Sequence, residues 1–190
     1  MEYAETLPKA AVICPKDLLH LGSRSAVYQA LSRLDREDGL MRIYRGVYVR
    51  TIETRFGRIG PEVGEVIEEL SRLWGETIVY SAGSSANFLH LTTQVPMRPV
   101  YFTSGPDRQL HFRALKVKLR HAPRWQLVGE NRRTGILIRA LTFLHPSEAK
   151  EALEKVLPTF PREDMEELLA ARSVLPSWIV EPLNMFIDQS

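Results

Sequence analysis

An α+β fold is what the sequence predicts, on three observations. A helix–turn–helix pattern runs straight into a period-two hairpin near the N-terminus, a stretch poor in apolar pattern follows, and the longer remainder mixes short strand patterns with amphipathic helical ones. A chain of 190 residues has room for one small domain and one medium one. The expected division is residues 1–55 and residues 60–190.

Pro15 to Leu21 reads as a short helix, with Pro15 suited to its first turn and Gly22 ending it. Ser23-Arg24-Ser25 then offers hydroxyl N-caps. Ala26, Val27, Ala30, Leu31 and Leu34 share one face of a second helix running to about Asp35. Asp38-Gly39 turns the chain. Met41 and Ile43 alternate with Arg42 and Tyr44, Arg45-Gly46 makes a turn, and Val47 and Val49 alternate with Tyr48 and Arg50. Helix, tight turn, helix and basic hairpin, in that order, predict an N-terminal winged helix-turn-helix. Such a domain normally begins with a full helix, yet the segment before Pro15 is short and broken by Pro8. Either that helix is abbreviated to about Tyr3–Ala11, or another chain completes the core.

Thr51 to Ile59 reads as a linker. A helix starts at Pro61, with Val63, Val66, Ile67, Leu70, Leu73 and Trp74 on one face and Gly75 as its stop. Thr77–Tyr80 reads as a strand, and the small residues from Ser81 to Ser85 lead into a helix through Leu91. Pro99–Thr103 and about Leu115–Arg120 read as strands. The run after Gly135 to Leu144 reads as a buried helix, and two acidic helices follow at about Ser147–Val156 and Arg162–Ala171. The second domain is therefore mixed α/β.

The net charge of +2 hides a strong asymmetry. Nine Lys and Arg face five acids between Lys16 and Arg58, ten face only Asp107 and Glu130 between Arg98 and Arg139, and the tail from Ser147 is acidic. The first two regions fit contact with a polyanion and the third does not. Hydrophobic residues at 44% and charged ones at 25% mark an ordinary globular chain. Cys14 is the single cysteine, which excludes an internal disulfide and fits a reducing, cytoplasmic compartment. Neither a signal peptide nor an apolar run long enough for a bilayer is expected.

In a winged helix-turn-helix the second helix enters the major groove. Once Val27, Leu31 and Leu34 fix its rotation, Arg24, Ser25, Tyr28, Gln29 and Arg33 point outward. Gln29 and Arg24 suit base edges; Ser23, Ser25 and Tyr28 suit phosphates. Tyr28 has a second reading, as a core residue. Arg42, Tyr44 and Arg45 at the hairpin tip reach phosphates or the minor groove, and Arg113, Lys116, Lys118, Arg120 and Arg124 form a basic face of the C-terminal domain. An enzyme is not expected. The five histidines show no helical metal spacing, no phosphate-binding glycine motif occurs, and the basic stretch lacks the clustered carboxylates that a metal-dependent nuclease needs. No cofactor or metal is expected.

Three stretches resemble the winged-helix start of AbiEi-type antitoxins: Pro15 to Arg24, Ala30 to Leu34, and Arg42 to Tyr48. Ser84 to Leu91, Thr93 to Pro96, Val100 to Pro106 and Leu119 to Arg124 are similar to the second domain of that group. The resemblance implies a transcriptional autorepressor that binds inverted repeats in its own promoter. It also implies an antitoxin that counters a nucleotidyltransferase toxin of the AbiEii kind in a type IV phage-defence system, the neutralising function lying in the C-terminal domain. The alternatives are a stand-alone winged-helix regulator, or an RNA- or protein-binding module whose main site is the basic sheet. In the antitoxin reading that sheet either extends the DNA footprint or contacts an RNA such as tRNA. A membrane partner is not expected.

Overall fold

The computed structural model describes residues 6–8, 10–55, 57–94 and 97–187. Its strands are β1 (Val12–Ile13), β2 (Leu40–Tyr44), β3 (Val47–Arg50), β4 (Ile52–Thr54), β5 (Gly57–Ile59), β6 (Ile78–Tyr80), β7 (Val100–Thr103), β8 (Arg108–Phe112) and β9 (Leu115–His121). Its helices are α1 (Arg24–Arg36), α2 (Val63–Trp74), α3 (Ala82–Phe88), α4 (Arg124–Leu127), α5 (Arg133–Leu141), α6 (Ala149–Val156), α7 (Arg162–Ala171) and α8 (Ser177–Ile187). The architecture is α+β, as expected. Among the described residues no helix is long and apolar enough to cross a membrane.

Two compact units divide this chain. The first runs to Glu76 and also takes Arg108–Lys118; the second takes Thr77–Asp107 and everything from Leu119 onward. This differs from the expected division at residues 55–60 in two respects. Helix α2 stays with the first unit, where it packs on β1, and Arg108, Arg113, Lys116 and Lys118 of the basic stretch expected in the C-terminal domain join that unit as well.

In the first unit β1, β3 and β2 form an antiparallel sheet in that order, with Val49 paired to both Val12 and Met41. Ile13, Leu18, Val27, Leu31, Leu40 and Tyr48 close its core. Burying a leucine such as Leu31, which is 3% exposed, contributes roughly 1.5–3 kcal/mol. The short helix expected at Pro15–Leu21 is of the 3-10 kind, with the Asp17 N–H donating to the Cys14 carbonyl at 3.1 Å in i to i+3 closure. An open apolar groove of about 260 Å³ lies between this segment and α1, bordered by Leu18, Leu21, Val27, Leu31 and Leu34. Of the abbreviated first helix expected at Tyr3–Ala11, residues 3–5 and 9 fall outside the described residues.

Thr51–Ile59 is a hairpin, not a linker. Strand β4 pairs with β5, Gly57 takes φ 99°, and the Thr54 hydroxyl donates to the Gly57 carbonyl at 2.7 Å. Its apolar pattern is weak because both strands are largely exposed or half-buried. Helix α2 ends as expected, at Gly75 in the left-handed conformation with φ 63°. Strands β8 and β9 form the hairpin that completes this unit, with β8 packed on β2. Strand β9 then continues into the second unit as Leu119–His121.

In the second unit β6 pairs antiparallel with β7, Ile78 opposite Thr103. Helix α3 packs on α5, and α6 packs on α8. Leu137, Leu141, Leu153, Leu168, Ile179 and Leu183 are at most 1% exposed and lie in one cluster. Helix α5 starts at Arg133, earlier than expected, and is buried from Thr134 to its end. Gly135 permits this: a methyl group there would lie 2.6 Å from the Val128 carbonyl oxygen. Helix α3 stops at Phe88, short of the expected Leu91, because His90 turns the chain at φ 54°. Arg139 is fully buried and donates to the carbonyls of Gln126 (3.2 Å) and Glu130. Burial pulls its guanidinium down to about 10, still charged at neutral pH.

Candidate nucleic-acid interface

Helix α1 is capped by Ser23, whose Oγ accepts from the Ala26 N–H at 3.3 Å. Val27 and Leu31 turn inward, and this fixes the opposite face. Ser23, Arg24, Ser25, Tyr28, Gln29 and Arg33 are all exposed. Tyr28, which had two readings, is 43% exposed and carries the Arg24 guanidinium at 5.8 Å from its ring centre, a cation–π contact. A shallow groove on this face is bordered by Arg24, Ser25, Tyr28, Gln29, Ser32 and Arg36. Ser32 and Arg36 were not singled out from sequence, although the i, i+4 series from Arg24 through Tyr28 contains both. The first turn of α1 holds no acid, so nothing there offsets the positive helix end.

The Asp35 carboxylate accepts from the Arg42 N–H at 2.9 Å and so ties α1 to the β2–β3 hairpin. That hairpin turns at Gly46, φ 69°, which leaves Arg42 and Arg45 exposed. Tyr44 is placed differently from its neighbours. It is half-buried, with its ring edge-on to Trp74 at 5.9 Å. Trp74 in turn carries the Arg108 guanidinium at 4.3 Å, and Arg108 donates to both Glu76 oxygens at 2.6 and 2.8 Å. The hydrogen-bonded Glu76 carboxylate holds Arg108 above the ordinary arginine range. Tyr44 therefore anchors the hairpin, while the two arginines remain open to solvent.

The five residues expected as one basic face fall on both units. Arg113 sits at the β8–β9 turn with φ 53° and pairs with Asp38 at 3.0 Å. Lys116 and Lys118 are exposed on β9 while Leu110, Phe112 and Val117 are buried. These three basic residues belong to the first unit; Arg120 and Arg124, also exposed, belong to the second. There Arg124 and His121 border an open cavity of about 480 Å³ with Thr77 and Ser104. The His121 N–H donates to Asp107 at 2.6 Å and its Nδ1 lies 2.9 Å from the Gly105 carbonyl.

Chemically, the α1 face presents a guanidinium, a carboxamide and hydroxyls on a rigid helix beside two flanking arginines. Arginine and glutamine are the side chains that pair in bidentate fashion with guanine and adenine edges. Among the described residues no three or more His, Cys, Asp or Glu side chains gather as a metal site would require. No curated protein is found to match the chain. The model of one family matches residues 1–168, and the chain belongs to that family, which is described as a family of unknown function, DUF6088.

Proposed function

We propose that this chain binds double-stranded promoter DNA through an N-terminal winged helix-turn-helix and represses transcription from its own promoter. The observation that carries this reading is the split of α1 into a buried apolar face and an exposed face of Arg24, Ser25, Tyr28, Gln29 and Arg33, with Arg42 and Arg45 presented beside it. In this arrangement α1 is the recognition helix and the β2–β3 hairpin is the wing. Arg24 and Gln29 read base edges, whereas Ser23, Ser25, Tyr28, Arg42 and Arg45 hold phosphates. Arg33 lies further along α1 and closes the contact at its C-terminal half. Tyr44 keeps the wing in place through Trp74.

The antitoxin part of the proposal, opposition to an AbiEii-like nucleotidyltransferase, is supported by the sequence resemblance to AbiEi proteins and not by the site geometry. A promoter-fusion reporter tests the regulatory claim. Expression of the intact chain should lower output from its own upstream region and leave an unrelated promoter unchanged. Equal output with and without the chain would contradict it. For the antitoxin claim, co-expression with a neighbouring nucleotidyltransferase should restore growth that the transferase alone arrests.

A further inference from the structure

The β8–β9 hairpin is built as part of the unit that carries α1. Arg108 clamps it to Glu76 and Trp74, Arg113 clamps its turn to Asp38, and β8 lies on β2. The hairpin from Arg108 to Lys118 thus belongs to the same compact unit as α1.

That face is strongly basic for a simple reason of strand periodicity. Leu110, Phe112 and Val117 point into the core, which leaves Gln109, His111, Lys116 and Lys118 outside. From Arg108 to Lys118 no acidic residue occurs. Its place relative to α1 follows from the Asp38 pair. Asp38 lies two residues beyond the end of α1 at Arg36, and Arg36 closes the same shallow groove that begins at Arg24. Arg113, 3.0 Å from Asp38, therefore sets the hairpin turn at the C-terminal end of the proposed reading helix. The lysines are suited to phosphate as mobile point charges, without the planar fork that reads bases.

We infer that the β8–β9 hairpin is a second phosphate-gripping element on the DNA-binding unit, in which Lys116 and Lys118 contact the duplex backbone beyond the segment held by α1 and the wing. This rests on the reading of α1 as a DNA-binding helix. It adds affinity without sequence preference, since phosphates carry no base information.

The experiment is a salt titration of duplex affinity by fluorescence anisotropy, for the intact chain and for Lys116→Ala/Lys118→Ala, on the promoter duplex and on a random duplex. Each phosphate that a cation neutralises adds about 0.9 to the steepness of log K against log salt. The double variant should therefore show a slope shallower by roughly 2, equally on both duplexes, with an unchanged melting temperature. An intact chain that binds duplex and a variant with the same slope would overturn this inference and leave the role of α1 standing. An intact chain with no duplex affinity would overturn both. Unchanged duplex slopes together with weakened binding to single-stranded RNA would assign the lysines to RNA and overturn the inference as stated.

Discussion

Arg108 donates to both carboxylate oxygens of Glu76, at 2.6 and 2.8 Å, across 32 residues of sequence. The two side chains are 14% and 15% exposed, so water screens the pair weakly. Because the guanidinium also stacks on Trp74, and Trp74 meets Tyr44, one arginine links the β8–β9 hairpin, the end of α2 and the β2–β3 hairpin.

Arg108→Lys should therefore be a damaging change despite conserving charge. Lysine keeps the attraction but loses the planar fork and the stacking face. A loss of roughly 2 kcal/mol is expected by urea denaturation, comparable to that for Glu76→Gln. A change under about 0.5 kcal/mol, the range of surface substitutions, would mean that the link carries little of the unit's stability.

Gly135→Ala should destabilise the second unit by about 1–3 kcal/mol, the usual cost of forcing a methyl into a filled site. The closest groups are backbone, the Val128 carbonyl oxygen at 2.6 Å among them, and backbone cannot swing aside as a long side chain does. Gly75→Ala offers a contrast: space around it is open, and only its φ of 63° is strained. Thermal melts of the two variants should rank Gly135→Ala as the more damaging.

Alkaline pH should weaken the first unit before the second. Burial pushes the Cys14 thiol and the Tyr48 phenol above their ordinary ranges. The unfolded chain then releases these protons first, near pH values of about 8.5 and about 10, while the folded chain still holds them. Native protein binds more protons there, so stability falls as pH rises through that window. Alkylation of Cys14 at pH 8 should accordingly be slow in the folded chain and fast in denaturant. Equal rates in both would show the thiol to be open.

Much of this architecture was legible in the sequence because it is local. Ser23, the periodic apolar set from Ala26 to Leu34 and the alternation around Arg45-Gly46 fix α1 and the β2–β3 hairpin within a few residues of where they lie. Strand β8 was missed although Gln109 and His111 alternate cleanly with Leu110 and Phe112; five residues between turn signals make a short pattern. Helix α8 was missed because Pro182 interrupts a pattern whose inward positions, Ile179 and Leu183, are an ordinary i, i+4 pair. The hairpin at Thr51–Ile59 was hidden by its exposure, which removes the alternation of burial that marks a strand.

For the interface, exposure followed from helix rotation, and every α1 residue singled out does face solvent. What periodicity could not supply were the long-range pairs. Arg113 to Asp38, Arg108 to Glu76 and Tyr44 to Trp74 join residues remote in sequence, and they decide which basic residues travel with α1.

The most direct test of the account compares intact chain, Arg24→Ala and Gln29→Ala for affinity to the promoter duplex and to a random duplex of equal length. Removing a bidentate base pairing costs roughly 1–3 kcal/mol of discrimination, so each variant should bind the promoter about 5- to 150-fold more weakly and random DNA with far less change. Equal losses on both duplexes, or no promoter preference in the intact chain, would contradict the assignment of α1 as the helix that reads sequence.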